Sequence, residues 1–264
     1  MPPCNCAGRA RFDLMHVSEQ APVFRILGRI EVANDGTISQ IRGGRTRALL
    51  VTLLLQESRV VALNRIIEAM WGYAPPQSAV ANVRTHVWNL RQQISKIAEI
   101  RSHVGGYEIR VPSGACDYSI FAERVSSGRA ALASGEPARA VDLLVAGLDL
   151  WHADTAAAGL PRYGPLEGWL DHLDDERARA VEDLAEAYLS LGEARAALRE
   201  LKAPLDVARL RSRNWVLKMK AYRQLGEPGR VADTFREAKL VFEELLGARP
   251  DEELYLAYRS IING

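Results

Sequence analysis

The sequence has no run of about twenty apolar residues, the length a membrane-spanning helix needs. Its longest apolar stretch, residues 48–55, is interrupted by Thr52, so no membrane partner is expected. Cysteine is scarce, three in 264 residues, with two of them at Cys4 and Cys6. Three thiols make no disulfide framework, which fits a reducing, cytoplasmic setting. Cys4-x-Cys6 has the look of half a metal site, but no His/Cys cluster elsewhere completes it. Residues 1–22 lack the apolar core of a secretion signal and show no periodicity, so they read as a disordered arm. Catalytic signatures are missing as well. There is no Gly-rich loop ending in Gly-Lys-Ser/Thr, no His-Glu-x-x-His and no Gly-x-Ser-x-Gly. The five histidines are scattered over unrelated stretches. Neither an enzyme nor a cofactor is expected.

One absence is local. Residues 78–96 contain no aspartate or glutamate. In residues 78–97, Val80, Val83, Val87, Leu90, Ile94 and Ile97 recur at alternating spacings of three and four, one stripe of an α-helix. Ser78 stands where an N-cap hydroxyl accepts from the first turn. The far face carries Thr85, Trp88, Asn89, Gln92 and Lys96, with Arg84 and Arg91 on one flank and His86 on the other. A surface helix ordinarily mixes both charges, so this face suits a polyanion, although a merely solvated basic face has the same composition. A helix of this kind fits the major groove of double-stranded DNA, with donors for phosphates and base edges. Charge divides likewise along the chain. Residues 23–112 hold 12 Lys/Arg against 6 Asp/Glu, net +6, and residues 113–264 hold 20 against 25, net −5. Two modules with different partners are expected.

Around that helix the pattern is specific. From Phe24, apolar residues alternate strand-like with Arg25, Arg29 and Glu31, and Asn34-Asp35-Gly36 marks a turn into a return strand over 37–41. A buried helix follows, with Arg42, Arg45 and Arg47 at its entrance, either solvated or drawing an anion to the free N–H groups there. A second helix is read over 64–71, then a loop with Tyr73, Pro75, Pro76 and Gln77. After the basic helix, Arg101 and His103 lead into Gly105-Gly106, two positive-φ positions of a tight hairpin, with Tyr107, Ile109 and Val111 alternating beyond it. The remainder is helical, with Phe121, Val125, Ala130 and Leu132 read as one face. Ser134-Gly135-Glu136-Pro137, Leu191-Gly192-Glu193-Ala194 and Leu225-Gly226-Glu227-Pro228 are versions of one phrase, the last two 34 residues apart. That is the period of a tetratricopeptide helical hairpin, and chance likeness among Ala- and Glu-rich junctions is the competing reading. Residues 153–165 between them read as a loop. The carboxylates Asp171, Asp174, Asp175 and Glu176 read as a solvated helix face, and Cys116 as a buried thiol.

Residues 24–111 resemble the winged helix-turn-helix domain of OmpR/PhoB-type regulators. The likeness rests on Arg45-x-Arg47-Ala48-Leu49-Leu50, Ile66-Ile67-Glu68-Ala69-Met70-Trp71-Gly72, Val83-Arg84-Thr85-His86-Val87-Trp88-Asn89-Leu90-Arg91 and Gly105-Gly106-Tyr107-Glu108-Ile109. The closing run from Val241-Phe242-Glu243-Glu244-Leu245-Leu246-Gly247 to Glu253-Leu254 resembles the end of a bacterial transcriptional activation domain. Together, over about residues 24–262, they resemble the Streptomyces antibiotic regulatory protein family. Two departures stand out: only Pro204-Leu205 remains of an expected His-Pro-x-x-Glu phrase, and Trp88 and Asn89 are less basic than many counterparts. No receiver domain is expected ahead of residue 24.

The expected fold is an α+β winged helix-turn-helix domain over 23–112, after the arm, followed by an all-α tetratricopeptide-like domain over 113–264. The expected function is a sequence-specific transcriptional activator at the nucleoid. Arg84, Thr85, His86, Trp88, Asn89 and Gln92 are candidates for base or groove contact. Arg45, Arg47, Arg91, Lys96, Arg101 and His103 are candidates for phosphates. The resemblance implies direct repeats near the promoters of an antibiotic gene cluster, a homodimer at least on DNA, and RNA polymerase holoenzyme touching Tyr73, Pro75, Pro76 and Gln77. The alternative is a helical-repeat adaptor or ligand sensor whose winged domain binds protein.

Overall fold

The computed structural model describes residues 23–34, 37–202 and 210–263. The arm, the turn at 35–36 and Pro204-Leu205 lie outside them.

Two small sheets enclose a three-helix core. β1 (Phe24–Arg25), β2 (Glu31–Asn34) and β3 (Thr37–Gln40) form an antiparallel sheet in that order, with Phe24 opposite Val32 and Val32 opposite Ser39. The alternating run read from Phe24 thus folds back on itself, through a bend at Gly28 (φ +138°). Next come α1 (Gly44–Leu54), β4 (Val61–Ala62), α2 (Leu63–Trp71) and α3 (Ala79–Ile94). The hairpin of β5 (Glu99–His103) and β6 (Gly106–Arg110) completes a second sheet of order β4-β6-β5. Alternation hid β4, because two residues carry too short a signal. α1 buries Thr46 and 48–54, as its apolar run requires.

Two local expectations are corrected. Ser78 does not cap α3 with its side chain; its hydroxyl accepts a hydrogen bond from Asn82 Nδ2 at 3.2 Å. Only Gly105 (φ +82°) has the positive φ expected of both wing glycines. Gly106 is needed for space, since a Cβ there would lie 2.3 Å from the Val61 carbonyl oxygen on β4. Gly106→Ala should therefore part β4 from β6 and cost about 1–3 kcal/mol, the usual penalty of overpacking, read as a lower urea midpoint.

The helical half contains α4 (Asp117–Ala133), α5 (Pro137–Leu148), α6 (Pro165–Ser190), α7 (Ala194–Leu201), α8 (Ser212–Gln224), α9 (Pro228–Leu246) and α10 (Glu252–Asn263). The recurring phrase is the turn of each helical hairpin. Gly135, Gly192 and Gly226 take φ of +74°, +81° and +74°. The glutamate after each donates its N–H five residues back, Glu136 to Ala131, Glu193 to Tyr188 and Glu227 to Tyr222, at 2.8–2.9 Å. This is a Schellman close, which left-handed glycine permits at little steric cost. On α4 the buried face is Phe121, Val125, Gly128 and Ala131; Ala130 is exposed, a correction of one position. The carboxylates read as solvated are instead paired: Asp171 and Asp174 with Arg162, Asp175 with Arg211, and Glu176 with Arg129.

The two halves share one apolar core, from Phe24 and Leu49 to Phe121, Leu170 and Leu184. The bend 26–28 is gripped on two sides. Asp117, at the start of α4, accepts from the N–H groups of Ile26 and Leu27 at 2.9–3.0 Å. The loop before α6 sends His152 N–H to Leu27 O, Ala157 N–H to Ile26 O and Ala158 N–H to Gly28 O at 2.7–3.1 Å. Asp174 and Arg177 of α6 brace that loop at Ala156 and Ala153. Among the described residues, no helix is long and apolar enough to cross a membrane.

Candidate nucleic-acid interface

α3 buries Val83, Val87, Leu90 and Ile94 against the small core and leaves its other face outward. Val80, read as part of the apolar stripe, is exposed, because the first turn of α3 turns its neighbour Ala79 inward instead. Arg84, Thr85, Gln92 and Lys96 are exposed, Trp88 is 61% exposed, and Asn89 is half-buried. Thr85 Oγ1 donates to Ala81 O of its own helix, 3.3 Å away. The outward face therefore carries Arg84, an indole and two amides, with no carboxylate along the helix, and Lys96 follows in the turn after Ile94, where α3 ends short of the 97 expected.

Two of the expected contacts are turned inward. His86 is half-buried, with Nδ1 3.0 Å from Thr46 Oγ1 of α1 and its ring edge-on to Trp71. Burial, and behind it the charge of Arg45, lowers its pKa, so the ring is neutral near pH 7. It ties α3 to α1 rather than reaching away from it. Arg91 is likewise engaged: its Nε and Nη2 donate to Ile100 O at 3.1 and 2.7 Å, and Nη2 to Ser102 Oγ at 2.9 Å. The guanidinium is a strut holding the wing hairpin to α3.

The wing's cations are paired within the hairpin. Arg101 meets Glu99 at 2.8 Å. His103 Nε2 and Arg110 Nε each lie 2.8 Å from the Glu108 carboxylate. Arg110, and after it His103, hold that carboxyl below the usual carboxylate range. Val104, at the tip, is fully exposed. At the entrance of α1, Arg42 offers its backbone N–H to Gln93 Oε1 of α3 at 3.1 Å. Arg45 is exposed and lies 5.5 Å over the Trp71 ring. Arg47 points elsewhere: half-buried, it lines a cavity with Arg29, Gln40 and Ala158 where the helical half begins. Sequence reading missed Thr46, Gln93 and Ser102 as supports of this face; ordinary polar residues give no local signal of a partner 11 to 51 positions away.

The α2–α3 loop stands apart. Tyr73, Pro75, Pro76 and Gln77 are all exposed, Tyr73 completely. Its base at Gly72 (φ +63°) lies against Tyr163 of the helical half, 3.3 Å from where a Cβ would be. The loop is thus free at its tip and fixed at its root.

A three-helix core with a basic helix outward and a wing beside it, joined to helical hairpins, defines a transcription regulator of the winged-helix class. Comparison with known proteins agrees. Residues 42–107 match the family described as "Transcriptional regulatory protein, C terminal", and residues 116–262 match "Bacterial transcriptional activator domain". The chain is 30% identical to the transcriptional regulator RedD of Streptomyces coelicolor over 248 residues, covering 90% of this chain and 69% of that one. To the regulatory protein AfsR of the same organism it is 31% identical over 229 residues, 86% of this chain and 23% of AfsR. The solved structure of Mycobacterium tuberculosis EmbR, in complex with a low affinity phosphopeptide, superposes with a TM-score of 0.81 at 25% identity, over 91% of this chain and 64% of that one. The chain belongs to the Streptomyces antibiotic regulatory protein family and is a transcriptional regulator.

Proposed function

We propose that the chain is a sequence-specific DNA-binding activator of a secondary-metabolite, antibiotic-type gene cluster. The observation that carries this reading is the outward face of α3, free of carboxylates and set beside a hairpin. Arg84, Thr85, Trp88, Asn89 and Gln92 read the major groove. The guanidinium and amides pair with base edges, and the exposed indole offers apolar contact to a thymine methyl. Arg45, Lys96 and Arg101 hold phosphates, with His103 at the wing. Arg91 and His86 act by fixing the wing and α3 in place.

Two protomers sit side by side on direct repeats near a promoter. The exposed loop at Tyr73, Pro75, Pro76 and Gln77 meets RNA polymerase holoenzyme. Residues 23–112 form the DNA-binding half and residues 113–264 the half that joins protomers or meets the transcription machinery. The adaptor alternative has no observation of its own in its favour.

The test is fluorescence anisotropy with the DNA upstream of the chain's own gene, under rising salt. Binding through phosphates falls with a log–log slope of about −0.9 per phosphate contact. Lys96→Ala should weaken specific and random duplexes alike and flatten that slope. Asn89→Ala should relax discrimination at one base pair by about 1–3 kcal/mol, leaving random DNA unaffected. An unchanged affinity for every duplex in both variants, or no binding by the unaltered chain, sinks the reading.

A further inference from the structure

We propose that the seam between the two halves holds a binding site for a phosphate-class dianion, centred on Arg29 and Arg47. A cavity of about 220 Å³ opens there, lined by Arg29, Ile30, Gln40, Arg47 and Ala158. Each side of the seam contributes: the first sheet and α1 from the winged half, the loop before α6 from the helical half.

Three observations point to an anion. Among the described residues, no carboxylate lines the cavity. Among the described residues, neither Arg29 nor Arg47 has an ion-pair partner, although arginines across the helical half are paired repeatedly. Arg47 Nε is buried and makes no hydrogen bond. A buried N–H of a charged group left unpaired is costly, and the cavity lies against the same side chain.

Charge decides the class. Two guanidiniums present a double positive charge, and the Gln40 amide adds neutral donors. A phosphate monoester carries about −1.5 to −2 at pH 7 and matches it. A monocarboxylate leaves one guanidinium uncompensated. The planar fork of arginine also fits phosphate oxygens two at a time. The phosphate has two sources, a small phosphorylated molecule or a DNA backbone passing the seam. The first would bind across both halves and stabilise their junction.

The inference is independent of the DNA-binding reading, and its test begins without DNA. Thermal unfolding of the full chain is followed with inorganic phosphate and pyrophosphate, each replacing chloride at equal ionic strength. The expected result is a saturable rise in Tm with pyrophosphate, which ligand binding to the folded state requires. Arg29→Gln and Arg47→Gln should each weaken that apparent affinity about tenfold, while Tm in chloride stays near that of the unaltered chain. If neither anion stabilises but each variant flattens the salt slope of DNA binding by about one, the same site takes a backbone phosphate. If the rise in Tm is equal in the unaltered chain and both variants, or absent with DNA slopes unchanged, the proposal is overturned. Two variants on separate elements guard against one of them misfolding.

Discussion

Replacing Asp117 by alanine should cost about 2–6 kcal/mol and unfasten the bend at 26–28. The carboxylate is buried and accepts from the N–H groups of Ile26 and Leu27, both themselves buried. Without it, two buried donors lose their partner, at about 1–3 kcal/mol each. Urea unfolding measures the loss, and hydrogen exchange at Ile26 and Leu27 locates it. A loss below about 1 kcal/mol would mean that the loop at 152–158 holds the bend unaided.

The same residue makes stability depend on pH in an unusual direction. Burial dominates and raises the Asp117 carboxyl from 3.8 to about 6, against the opposing hydrogen bonds from Leu27 and Ile26 and the charge of His152. The folded chain therefore keeps this proton at a pH where the unfolded chain has released it. Between pH 3.8 and 6 the contribution falls as pH rises, and above 6 the cost of holding a buried anion is complete. From pH 7.5 down to pH 5, the unaltered chain should gain about 1.4 kcal/mol relative to Asp117→Asn, whose amide has no charge to bury. Other titrating groups largely cancel in that difference. A flat difference across this range would show that the hydrogen bonds outweigh burial.

The second large effect belongs to Arg211. It meets Glu182 through Nε at 2.8 Å and Nη2 at 3.0 Å, and Asp175 through Nη1 at 2.7 Å. The Glu182 side chain is fully buried. This two-pronged pairing fixes the entry of α8 to the middle of α6. Arg211→Ala strands a buried carboxylate, with only Arg213 at 3.7 Å, among the described residues, to answer it. The expected cost is about 3–5 kcal/mol. The double variant Arg211→Met, Glu182→Leu should recover most of the loss, because a buried pair replaced by apolar groups is often close to neutral. Chemical denaturation of the three chains settles both points. If the single variant stays within about 1 kcal/mol of the parent, Arg213 and solvent suffice for Glu182.

These residues also separate what was legible in the sequence from what was not. Legible features are local. The three-and-four spacing of Val83, Val87, Leu90 and Ile94 is fixed by helix geometry, and the structure buries all four. The Gly-Glu phrases announce hairpins because a left-handed turn after a helix favours glycine, whatever surrounds it. Ala48 to Leu54 could only be buried, since no other placement removes that much apolar surface from water.

Polar residues carry no such address, because their meaning depends on a partner far along the chain. Asp117 and Ile26 are 91 positions apart, Arg211 and Glu182 are 29, and His86 and Thr46 are 40. Sequence alone determined the two kinds of half, their order and the basic face of one helix, through periodicity and turn chemistry acting within a few residues. Only the tertiary structure decided that the halves share one core, that His86 and Arg91 serve as supports, and that Arg29 and Arg47 flank one cavity. Contacts between distant residues exist only once the chain has closed upon itself, and nothing in a short window of sequence encodes them.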